Sequence, residues 1–121
     1  MTREDLGERR LAYAARNVRL VGALPKTLAG RHVGTQLLRS GTSAGANYQE
    51  ARGGESRADF VHKLQIALKE VRESHYWLRL IVEAKLLPTE KLAAITDESE
   101  QLIAILSKAV ARTKGTTKSA T

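Results

Sequence analysis

Between Phe60 and Val82 the large side chains return with a period that only one regular structure satisfies. Phe60, Leu64, Leu68, Val71, His75, Leu78 and Val82 are each three or four residues apart. Positions at that spacing share one face of an α-helix, whereas a strand would need every second residue. The stripe covers about six helical turns, and a helix with so long an apolar face must bury it against other helices. A second row on the same segment, Ile66, Glu70, Glu73, Trp77 and Leu80, mixes carboxylates with apolar groups. One stripe suffices in a monomeric bundle. The surplus therefore predicts burial of part of this helix against another copy of the chain.

The preceding stretch, Arg39-Ser-Gly-Thr-Ser-Ala-Gly-Ala-Asn-Tyr-Gln-Glu50, is small and polar enough to suggest a loop. Its spacing is nevertheless helical: Val33, Leu37, Ser40, Ala44, Asn47 and Ala51 alternate by four and three. Gly34, Gly41 and Gly45 lie on it, and each mid-helix glycine costs about 1 kcal/mol relative to alanine. A helix this lean is expected where neighbouring backbones approach closely, with sister subunits pressing on the glycine-bearing flank. A nucleotide loop is excluded, because no Gly-Lys-Ser/Thr ending is present and no strand precedes it.

Two further segments complete the pattern. In the first, Leu11, Ala14, Val18 and Val21 form an apolar stripe, with Leu6, Tyr13, Leu20 and Leu24 beside it and arginines interleaved, and Pro25 stops the helix. In the last, Leu92, Ile95, Ser99, Leu102, Leu106 and Ala109 again alternate threes and fours. Gly53-Gly54 ends the second helix, Ser56 caps the third and Thr89 caps the fourth. The expectation is an all-α, up-down-up-down antiparallel four-helix bundle within residues 1–112, assembling as a ring-like homo-oligomer. The helices are placed at about 3–24, 31–52, 57–86 and 90–112. A disordered basic tail is placed at 113–121.

Twenty Lys and Arg face 13 Asp and Glu, a net charge of +7. Such a surface favours a polyanion, RNA or DNA. The candidate contacts are Arg9, Arg10, Arg16 and Arg19 on the first helix, Arg52 and Arg57 around the Gly-Gly turn, Lys63, and the tail lysines Lys114 and Lys118. The five aromatic residues (one Trp, three Tyr, one Phe) occupy no basic run. Binding is therefore expected to be driven by backbone phosphates and weakly sequence-specific. No cysteine is present, which excludes disulfides and thiolate chemistry. No apolar run approaches the roughly 20 residues that span a bilayer, and the first residues carry no signal-like apolar core. A cytoplasmic protein without a cofactor is expected. His32, His62 and His75 match no metal-ligand spacing, and no glutamate is followed by histidine at the third position, so neither a metal nor a catalytic site is expected. Arg39, Ser43, Asn47 and Glu50 line one side of the second helix. With Glu70 and Glu73 they form a candidate buried polar network that sets register and assembly.

Arg39-Ser-Gly-Thr-Ser-Ala-Gly-Ala-Asn-Tyr-Gln-Glu50, followed by Asp59-Phe60, Lys63-Leu64, Ile66-Ala67-Leu68, Glu70 and Glu73-Ser-His-Tyr-Trp-Leu78, resembles the bacterial four-helix-bundle family encoded in intervening sequences of 23S rRNA genes. Leu24-Pro25-Lys26 is similar to that family's first connector. The likeness spans about residues 8 to 112. It extends to the related accessory variability determinant of diversity-generating retroelements. Arg39, Ser43, Asn47, Glu50, Phe60 and Glu70 match the motif positions. The resemblance implies a barrel-like homopentamer with a positive surface, no catalytic activity and a nucleic-acid-binding role. It also implies an alternative role as a protein scaffold or partner of a reverse transcriptase.

Overall fold

The computed structural model describes the backbone of residues 3–52 and 56–119 and the side chains of 5–45 and 56–114. Four helices form: α1 (Arg3–Ala23), α2 (Leu28–Arg52), α3 (Arg57–Glu83) and α4 (Ala93–Ser119), with a single 3₁₀ turn at Thr89–Lys91. No strand occurs among the described residues. Chain neighbours pack antiparallel. Gly34, Gly41 and Gly45 of α2 meet Val21, Asn17 and Arg10 of α1 in reverse order. Arg39 of α2 reaches Glu70 and Glu73 of α3. Arg72 and His75 of α3 face Ser107 and Glu100 of α4. α1 and α4 meet over a shorter stretch, around Arg9, Glu98 and Gln101.

The helix ends follow local hydrogen bonding. Ser56 caps α3 by accepting from the Asp59 amide at 3.0 Å, as the sequence predicts. Thr27 caps α2 in the same way, its Oγ1 accepting from the Gly30 amide at 3.1 Å. This starts α2 at Leu28, three residues earlier than expected. α3 closes with the Leu86 amide on the Ile81 carbonyl and the Lys85 amide on Val82, a Schellman arrangement with Lys85 at φ 56. Thr89 opens the 3₁₀ turn rather than capping α4, which begins at Ala93. The α4 backbone continues helical to Ser119, through most of the stretch read from sequence as a structureless tail.

The long stripe of α3 lies inside, with Leu64, Leu68, Val71 and Leu78 all buried against Leu37, Leu102 and Leu106. Its second row is taken up by α2 of the same chain: Glu70 and Glu73 bond Arg39, and Trp77 meets His32. The first helix departs further from expectation. Leu11 and Val18 are 64% and 50% exposed, whereas Leu6, Arg10, Tyr13, Asn17 and Leu24 point inward. The predicted stripe was about a third of a turn out of register, because two of the true core positions carry polar side chains.

The glycine flank explains why. A Cβ added at Gly41 would lie 2.8 Å from Asn17 Cγ and 2.9 Å from its Nδ2. At Gly41 the close partner of the lean face is therefore α1 of the same chain. Asn17 is fully buried and donates from Nδ2 to the Tyr13 carbonyl at 3.0 Å, so it has little room to yield. Gly41→Ala is expected to cost about 1–3 kcal/mol through overpacking, despite the better helix propensity. At Gly45 the nearest atom to an added Cβ is the Arg10 carbonyl oxygen at 3.7 Å, an ordinary contact. Gly45→Ala should instead stabilise by about 1 kcal/mol. Denaturant midpoints for the two variants should move in opposite directions.

Candidate nucleic-acid interface

Helix α1 brings few of its arginines to the surface for a ligand. Arg9 is engaged across the bundle: Nη2 lies 2.6 Å from Glu98 Oε1, Nε 3.1 Å from Oε2, and Nη2 3.1 Å from Gln101 Oε1. The hydrogen bond to Glu98 raises its pKa further, against the opposing effect of partial desolvation. Arg10 is 2% exposed and cannot reach a phosphate outside the molecule. Arg16 is half-buried and Arg19 exposed. Arg57 is exposed at the first turn of α3, and Lys63 is half-buried one helical face away. The Arg52 side chain lies outside the described residues.

Of the candidate polar network, the described residues bring Arg39, Glu70 and Glu73 together, at a site open to water rather than buried. Arg39, with its side chain 48% exposed, donates to Glu70 Oε2 at 3.2 Å and to Glu73. Trp77 Nε1 donates to Glu73 Oε2 at 3.1 Å, and Gln36 Oε1 accepts from Arg39 at 3.2 Å. Water screens such pairs, which contribute about 0–1 kcal/mol each. Ser43 is half-buried. Asn47 and Glu50 lie outside the described side chains. Among the described residues no three His, Cys, Asp or Glu converge as metal ligands.

The buried polar set is a different one, which the sequence reading did not single out. Tyr13, Asn17, Ser40, Ser74 and Ser99 are all at most 1% exposed. Ser74 donates to the Val71 carbonyl at 2.8 Å, so the 2.7 Å contact with Tyr13 is donated by the phenol. Burial raises the Tyr13 pKa above its ordinary value of 10.0, and hydrogen bonding with Ser74, Asn17 and Ser99 and the Arg10 charge oppose the rise only in part. A raised folded-state value means that the native state holds the proton more tightly. Its contribution to stability is complete below pH 10.0 and is lost as pH climbs through the folded value. Tyr13→Phe should cost about 1 kcal/mol at neutral pH. Urea titrations at rising alkaline pH should show the gap between parent and variant shrinking above about pH 10.

Pairing α3 with α4 sorts the charge along the hairpin. Its open end, residues 57–72 and 104–119, carries Arg57, Lys63, Lys69, Arg72, Lys108, Arg112, Lys114 and Lys118 against Asp59 and Glu70. Glu70 is already held by Arg39. Residues 73–103 reverse the balance, with Glu73, Glu83, Glu90, Asp97, Glu98 and Glu100 against Arg79, Lys85 and Lys91. Lys69, Arg72, Lys108 and Arg112 are all exposed, and Arg72 Nη2 reaches Ser107 Oγ at 3.4 Å, which fixes the register of the two basic rows. Lys69, Arg72, Lys108 and Arg112 are absent from the sequence-derived candidates. Each is an isolated cation in the sequence, and only the antiparallel register of two helices sets them side by side.

No helix among the described residues is long and apolar enough to cross a membrane. Among curated proteins none matches the chain significantly. A solved structure of a protein of unknown function from the S23 ribosomal protein family of Bacteroides thetaiotaomicron VPI-5482 superposes with a TM-score of 0.81 at 37% identity, covering 87% of this chain and 97% of that one. The family model of the 23S rRNA-intervening sequence protein matches residues 8–108, which take in the α1–α2 connector, the glycine flank, all of α3 and the first part of α4. The fold, the motif residues around Arg39 and Glu70 and this match agree, and the chain belongs to the 23S rRNA-intervening sequence protein family.

Proposed function

We propose that this protein is a cytoplasmic, non-enzymatic bundle that binds nucleic acid, RNA or DNA, through phosphate contacts at the open end of the α3–α4 hairpin. The observation that carries this reading is the segregation of charge along α3 and α4, eight cations against two carboxylates at one end. A net charge of +7 spread evenly would serve solubility alone, whereas a one-signed patch raises the local concentration of a polyanion. The exposed apolar residues of α1, Leu11 and Val18, support self-association through that helix, with the basic hairpins facing away from the contact. Fluorescence anisotropy with labelled RNA and DNA oligonucleotides tests the reading. For about five phosphate contacts, affinity should fall on the order of 10²-fold between 50 and 200 mM salt. Absence of binding at the lower salt, or binding indifferent to salt, would overturn it.

A further inference from the structure

Tyr76 is 59% exposed on α3. It shares an exposed row with Lys69, Arg72 and Arg79, the two arginines standing about one helical turn on either side of the ring, with Cβ separations of about 5–6 Å. This aromatic is invisible as part of a basic run in the sequence, because Glu73, Ser74 and His75 intervene on other faces of the helix. The ring is braced rather than loose. It makes a T-shaped contact with Trp77, at 5.1 Å and 80°, which occupies at most one face. Trp77 is fixed in turn by its bond to Glu73, which Arg39 holds, and by the edge of His32 at 6.0 Å. Beside the ring, Tyr76, His75, Arg79, Leu80 and Glu83 line a hollow of about 390 Å³, within the size range of small-molecule clefts.

Resting on the nucleic-acid reading above, we propose that Tyr76 is a base-stacking platform and that the ligand of the basic hairpin is a single strand rather than a duplex. A base in a duplex has both faces covered by its neighbours, so an exposed tyrosine gains nothing from it. An unpaired base offers a free face to the ring while Arg72, on the open-end side of it, holds the flanking phosphate. Glu83 stands exposed one turn beyond Arg79 at the acidic end, whereas exposed Arg72 and Lys69 lie on the other side of the ring.

The test is anisotropy of the full-length protein with fluorescein-labelled dT20, single-stranded and annealed to dA20, at one salt concentration. The parent should prefer the single strand. Tyr76→Leu should weaken single-strand binding about 5- to 100-fold while leaving duplex binding and the salt slope unchanged, and Tyr76→Trp should retain it. Arg72→Gln should lower the salt slope by about one on either ligand. Equal single-strand affinity for Tyr76→Leu and the parent, or a parent preference for the duplex, would overturn the stacking role and leave the basic interface standing. A parent that binds neither ligand would overturn both.

Discussion

Gly30→Ala is expected to be among the most damaging single-methyl additions in the chain. A Cβ at this position would sit 2.0 Å from the Pro25 carbonyl oxygen and 3.0 Å from its carbon, with Thr27 Oγ1 at 3.2 Å. The atoms in the way are backbone, held between the turn that bonds the Leu24 amide to the Val21 carbonyl and the Thr27 cap of α2. Relief requires moving either the α1–α2 connector or the first turn of α2. Leu24 is buried and anchors the connector, so neither shift is free. The expected cost is about 3 kcal/mol or more, a large share of the roughly 5–15 kcal/mol by which domains are stable. A melting temperature about 10 °C below the parent should follow. Leu28→Ala, two residues away and 90% exposed, should stay within about 0.5 kcal/mol of the parent. A Gly30→Ala protein that melts with the parent would show that the connector is not packed as described.

Much of the fold was legible because three of the four helices announce themselves by period. The α3 stripe from Leu64 to Leu78 is buried except at His75, which turns out to Glu100, and the α4 stripe from Leu92 to Leu106 is buried as its spacing requires. The face of α1 was not, and the reason is physical. Hydropathy places Leu11 and Val18 inside and Arg10 and Asn17 outside. Asn17 in fact packs on the Gly41 gap of α2, a fit decided by shape between two helices rather than by the character of either. The connector fared better for a local reason: Pro25 marks the end of α1, though Thr27 as a cap was passed over. The candidate interface was only half legible for a similar reason. Arginines clustered along α1 draw attention in the sequence, yet Arg9 is bound to Glu98 and Arg10 is buried. The basic rows of α3 and α4 become one patch only when the helices lie antiparallel.

The second large effect concerns that patch. Lys69, Arg72, Lys108 and Arg112 are exposed, so replacing all four by glutamine should leave the fold intact, each change within about 0.5 kcal/mol. The Arg72–Ser107 contact given up is long, at 3.4 Å, and half in water. Nucleic-acid affinity should respond far more. Each phosphate contact on a single strand releases about 0.7 of a counterion, close to a fivefold gain in affinity near 0.1 M salt, so loss of four should cost on the order of 10²–10³-fold. Arg19→Gln on α1, exposed but remote from the hairpin rows, should change affinity little.

The salt dependence of binding puts the role of the α3–α4 hairpin to its hardest trial. Plotted as log affinity against log salt concentration for the parent and the fourfold glutamine variant, the slope should become shallower by about three in the variant, with its melting temperature unchanged. Parallel lines of equal affinity would contradict the assignment and return the site to another face of the molecule.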